Sequence, residues 1–192
     1  MLTPRLFAIV CLMLPSVAFA QAPQAPYSGL QDRRIASLSE DDIGEIRRGG
    51  GWGLALPAEL NGVPGPAHLL ENADALQLGA EQVSEIRAIY EEMRADAIAA
   101  GERLIETEAA LTDAFRDGTP DAAMLSNLIE AAEASRAALR FVHLSRHIET
   151  PALLTEAQLR RYAVLRGYAE DPCDTVPEGH DAARWRQHNG CQ

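Results

Sequence analysis

Apolar residues recur at steps of three and four between Val83 and Ala114: Val83, Ile86, Tyr90, Met93, Ala97, Ala100, Leu104, Thr107, Leu111 and Ala114. That spacing puts them on one face of an α-helix. Ile89, Ile98 and Ile105 widen the stripe, and Glu and Arg fill much of the rest. The pattern predicts a helix over residues 80–117, roughly 55 Å long at 1.5 Å per residue. Gly101, in its middle, is a tolerated weak point. A second stripe (Leu125, Leu128, Ala132, Ser135, Leu139, Val142) predicts a helix over residues 121–149. Between them, Gly118 suits a C-terminal cap, Thr119 the next N-cap and Pro120 the first helical position. So short a turn makes the two helices antiparallel neighbours. The Met93, Met124 and Leu-rich stripe reads as the core of this hairpin.

Shorter elements flank it. Ser39 and Asp42 resemble a capping box that opens a helix ending at Arg47-Arg48, before three glycines. Residues 49–66 are punctuated by Gly and Pro yet carry Trp52, Leu54, Leu56 and Leu60. They read as a loop packed on the body, with a short helix at 58–60. Pro66 starts a helix through about residue 76, and a last helix spans 156–166, ended by Gly167. Beyond Tyr168 the chain has no clear period. The expected architecture is all-α: a long antiparallel helical hairpin with flanking shorter helices, an irregular N-terminal leader and a C-terminal tail. Its segments are 1–20, 21–65, 66–168 and 169–192.

The first twenty residues carry an export pattern. Arg5 is a positive n-region, Leu6 to Leu14 is an apolar h-region, and Ala18-Phe19-Ala20 is a cleavage site. The apolar run is too short to span a bilayer, which needs about 20 residues. Cleavage after Ala20 would deliver the chain to the periplasm. No later segment is apolar enough for stable membrane insertion. The chain is acidic, with a formal net charge of −11, and all of its basic side chains except histidine are Arg. That field repels nucleic acid. Two cysteines follow the cleavage site, Cys173 and Cys191, and an oxidising compartment predicts that they pair.

Two segments open helices in the same way. In Leu154-Thr155-Glu156-Ala157-Gln158, Thr155 caps a helix and Gln158 returns a bond to its amide, with Leu154 and Leu159 as a hydrophobic staple. In Leu78-Gly79-Ala80-Glu81-Gln82, Gly79 stands in the capping position and Val83 faces Leu78. The pair, flanking a long hairpin behind an export signal, resembles the LTxxQ motifs of the Spy/CpxP family over roughly residues 66–167. The resemblance implies a hairpin-shaped subunit that forms a homodimer and binds unfolded periplasmic client proteins without ATP in envelope stress. It needs no cofactor. Related proteins bind or sense heavy metals, and an adaptor acting on an envelope sensor kinase is a further reading. The chain departs from the family by lacking the first Thr and by its acidity. A cradle would mix apolar side chains with arginines such as Arg87, Arg94, Arg136 and Arg140.

His143 and His147 lie one helical turn apart, a spacing that lets both imidazoles serve one metal ion. Hairpin pairing places them opposite residues 91–95, so Glu92 and Met93 are candidate further ligands, with His68 approaching from the preceding helix. Zinc, copper or nickel would suit imidazole. The competing reading is structural: histidines that pair with acids or sit at the surface. No phosphate-binding loop, nucleophile elbow or HExxH occurs, which argues against an enzyme.

Overall fold

The structure, a computed structural model, describes residues 25–189 and 191. The export signal and its cleavage site lie outside the described residues. The chain divides into two compact units, Met1–Asp32 and Arg33–Gln192. Residues 25–32 of the first form turns; everything below concerns the second. It is mostly helical, and the described residues contain no strand, only an isolated bridge between Ile35 and Leu38. Among the described residues no helix is long and apolar enough to cross a membrane.

The helices are α1 (Glu40–Arg47), α2 (Leu56–Glu59), α3 (Pro66–Glu71), α4 (Ala80–Arg116), α5 (Ala122–Glu149), α6 (Glu156–Leu165) and α7 (Ala182–Asn189), with a 3-10 turn at Thr150–Leu153. The Ser39–Asp42 capping box is formed on both sides. The α4–α5 turn differs from expectation. Asp121, not Thr119, caps α5, accepting a 2.8 Å bond from the Met124 amide. A carboxylate caps as well as a hydroxyl and also favours the positive end of the helix dipole. α3 ends at Glu71, five residues short of the expected end, and Gln77 adopts a left-handed φ of 53° before α4.

α4 and α5 pack antiparallel. Glu108 meets Arg136 at 2.7 Å near the turn, and Glu92 and Asp96 meet Arg146, each at 3.1 Å, toward the other end. That register agrees with the pairing expected from the turn. Two apolar cores result. In one, Ile35, Leu38, Ile43 and Ile46 from the N-terminal segment pack on Ala97, Leu104 and Leu139 of the hairpin. The leader from Arg33 onward therefore covers the hairpin. In the other, Leu69, Leu76, Ile86 and Tyr162 join α3, α4 and α6. Met93 is core as expected, but Met124 is half exposed at the hairpin tip, beyond the reach of either core.

The tail carries a helix that the sequence pattern did not announce. α7 lies inside the loop closed by Cys173–Cys191, whose Cα atoms are 5.5 Å apart. Trp185 on α7 donates its indole N–H to the Pro172 carbonyl at 2.7 Å and meets the His180 ring edge-on. Closing a loop of sequence separation 18 is worth about 3 kcal/mol in the chain-entropy model. Non-reduced peptide mapping of protein purified without reductant should recover the linked pair. Reduction should melt α7 while leaving the helical hairpin folded, because both packed cores lie outside the tail.

Candidate functional site

The two capping motifs meet in space. Gln82 and Gln158 exchange amide hydrogen bonds: Gln82 Nε2 donates to Gln158 Oε1 at 3.0 Å, and Gln158 Nε2 donates to Gln82 Oε1 at 3.1 Å. Each Oε1 also accepts from its own N-cap amide, Gly79 or Thr155, at 2.9 Å. Gln82 Nε2 reaches the Leu153 carbonyl at 2.7 Å as well. Leu78 and Leu154 are half-buried beside this joint, against the Tyr162 core. The motifs thus tie the N-termini of α4 and α6 to each other besides starting each helix. Gly79 has no hydroxyl to return a bond to the α4 amides, so that cap rests on Gln82.

Beneath the joint lies a buried carboxylate that sequence reasoning missed. Glu59, the last residue of α2, is 6% exposed. Its Oε1 is 2.8 Å from His68 Nδ1 on α3 and 3.7 Å from His147 Nε2 on α5. Its Oε2 accepts from Tyr162 Oη on α6 at 2.8 Å and lies 3.8 Å from the Arg166 guanidinium. Burial pushes the Glu59 carboxyl up. Hydrogen bonds from His68 and Tyr162, with the charges of His68 and His147, outweigh it and hold the group below its ordinary value. Burial and the Glu59 bond together push the Tyr162 phenol far above its ordinary range. The cluster fastens the Gly/Pro-rich segment: His147 Nδ1 donates to the Val63 carbonyl at 2.8 Å, and Thr150 Oγ1 donates to the Pro64 carbonyl at 2.5 Å.

The five expected metal candidates are only partly brought together. His68 and His147 meet through Glu59. Glu92 points to solvent and pairs with Arg146, and Met93 is packed in the interior. His143 is buried, hydrogen-bonded to the backbone of Gly50, and its Nε2 has no partner among the described residues. Among those residues no three His, Cys, Asp or Glu side chains are placed to hold a metal ion.

Burial, and then the charge of His147, push the His143 imidazole below its ordinary value; the Gly50 bond and Glu45 oppose this without overcoming it. The consequence for stability has a definite sign. The unfolded chain takes up a proton on this histidine near pH 6.5, while the native chain resists it, so stability falls as pH drops below 6.5. Glu59 acts in a lower window: its contribution is present above pH 4.5 and is lost as pH falls through its depressed native value. Urea midpoints should therefore decline in two stages on acidification. His143→Leu should flatten the first stage and leave the second.

The outward surface of α5 is a third feature. Phe141 and Ile148 are 70% and 79% exposed. Beside Phe141 runs a shallow groove of about 300 Å³, lined by Glu133, Arg136, Ala137, Arg140 and Leu144. Arg136 stands with its guanidinium 5.0 Å from the Trp52 ring centre while pairing with Glu108. Arg136 and Arg140 were legible as basic positions on the hairpin, but their grouping with Phe141 and Leu144 was not.

No protein-family model matches the chain, and neither does any curated protein or solved structure.

Proposed function

We propose that this chain is an exported, ATP-independent binding protein that holds partly unfolded clients, as its resemblance to the Spy/CpxP family implies. One observation supports this above the others: the apolar row on the outer face of α5, with Phe141 and Ile148 bared to solvent beside an arginine-edged groove. An apolar strip rimmed by polar groups marks an interaction site. Burying a side chain the size of Phe141 against a client contributes about 1.5–3 kcal/mol, enough for loose, reversible holding once several such contacts act together. The arginine rim adds reach toward acidic segments. Nothing in this reading needs a nucleotide, because binding and release follow from the client's own folding.

The test is suppression of light scattering by a denatured model protein at stoichiometric amounts of the mature chain. Phe141→Asp with Ile148→Asp should remove most of the suppression while leaving helical content unchanged, since both side chains stand outside the core. Wild-type protein that suppresses nothing at any ratio would refute the proposal. A metal titration beside that assay tests the rival reading: stoichiometric binding that disappears in His143→Ala/His147→Ala would favour a metal-binding protein instead.

A further inference from the structure

We infer that the outward seam of α5 takes an amphipathic helix with acidic flanks, which names the client class of the site just proposed and rests on that proposal. The seam has a helical grammar of its own. Ala134, Ala137, Phe141, Leu144 and Ile148 follow one another at alternating steps of three and four. That is the 3.5-residue repeat of a coiled-coil seam. It lies on the side of α5 opposite Ala132, Leu139, His143 and His147, which are buried against the body. Ala134, Ala137, Phe141 and Ile148 are exposed and Leu144 half-buried. α5 is therefore apolar on two faces, and only one of them is covered by the described residues. An extended segment has a side-chain period of two and would match such a seam only in passing; a helix stays in register with it along its length.

The shape is graded. The first half offers alanines, which admit a partner's large side chains. The second half offers Phe141, Leu144 and Ile148, which ask for small ones. A second copy laid antiparallel about Phe141 would satisfy that grading, setting Ala134 against Ile148 and Ala137 against Leu144. Charge decides against it. Arg136 is already engaged by Glu108 at 2.7 Å, whereas Arg140, exposed on the same flank, pairs with no carboxylate among the described residues. In the antiparallel pair each Arg140 would face its own counterpart, two like charges with no counterion between them. A foreign helix carrying Glu or Asp beside its apolar stripe gives Arg140 a counterion instead. The other flank, Ala131, Ala138 and Ser145, is small and uncharged, so the partner's backbone can come close.

The experiment measures fluorescence anisotropy of labelled peptides of about three heptads against the mature chain. One peptide has Leu in its seam and Glu on its flanks. A second has Lys flanks, and a third is the first with a central Pro. The Glu-flanked peptide should bind, and the other two should bind at least about tenfold more weakly. Phe141→Asp should abolish binding. Arg140→Glu should reverse the order of the Glu and Lys peptides. Equal binding of the Pro-broken peptide, or an unchanged order in Arg140→Glu, overturns the inference. So does a mature chain that sediments as a dimer which Phe141→Asp dissociates, because the seam then belongs to a second copy. The two proposals fail separately. A chain that suppresses aggregation but ignores helicity loses only the helix preference. A chain that binds the Glu peptide but suppresses no aggregation loses the holding function and keeps the seam.

Discussion

Replacing Glu59 with alanine should lower the stability of the protein by about 3–5 kcal/mol, the cost of breaking a buried charge cluster by removing one partner. The magnitude follows from what is left behind. Tyr162 is fully buried and would keep a phenol O–H with no acceptor at 2.8 Å. His68 would lose its carboxylate, and Arg166 would lose the counterion 3.8 Å away. An unsatisfied buried donor costs about 1–3 kcal/mol by itself. Glu59→Gln keeps the volume and one acceptor oxygen, so it should cost clearly less. The two effects separate by urea unfolding followed through helical ellipticity. Tyr162→Phe and Glu59→Ala should also couple: in a double-mutant cycle the second substitution should cost much less than it does alone. At a pH below the depressed native value of Glu59 the wild type and Glu59→Gln should converge, because the side chain at position 59 is then uncharged in both. A Glu59→Ala protein as stable as wild type would mean that the cluster is spectator to the fold.

Glu59 shows why part of this molecule could not be read from its sequence. It sits in Leu56-Pro57-Ala58-Glu59-Leu60, a stretch whose Pro and neighbouring Gly say loop and whose carboxylate says solvent. Its partners lie 9 residues away at His68 and 103 away at Tyr162, and no local period links them. The two long helices, by contrast, were legible because each buries a continuous stripe, and a stripe is a property of neighbouring residues. The hairpin register was legible for the same reason: a short turn leaves few ways to pair α4 and α5, and Arg146 duly meets Glu92 and Asp96. The two capping motifs stand at the starts of α4 and α6. Their docking on each other through Gln82 and Gln158 is a tertiary fact with no trace in either pentapeptide. The second apolar seam of α5 was hidden by the first: Leu and Ala on all sides blur the period, and only burial tells which face is covered. α7 escaped because it is short and polar, held by a disulfide and one tryptophan rather than by a stripe.

Gly101 should prove intolerant of any side chain, although a glycine inside a helix ordinarily costs about 1 kcal/mol relative to alanine. A Cβ built there would overlap Ile46 Cγ2 and approach the Ile46 carbonyl at 3.2 Å. Ile46 is 1% exposed, so it has no free space to move into. The contact marks where α1 crosses α4, and holding the helices apart would loosen Ile35, Leu38 and Ile43 from the hairpin as well. Gly101→Val should therefore destabilise by about 3 kcal/mol, the upper end of overpacking in a core. Gly101→Ala should still be destabilising, the clash outweighing the gain in helix propensity. Gly44 supplies the control. It lies inside α1, where a Cβ would meet only the far end of the Arg48 side chain at 3.3 Å, and that end is free to swing away. Gly44→Ala should stabilise by about 0.5–1 kcal/mol. Opposite signs for two Gly→Ala changes in helices, read as shifts in thermal midpoint, would establish the α1–α4 crossing. If Gly101→Ala raised the midpoint as Gly44→Ala should, α1 would not lie against α4 at Ile46. Shortening that neighbour completes the argument: in Ile46→Ala protein the offending Cγ2 is gone, and Gly101→Ala should then turn from harmful to neutral or favourable.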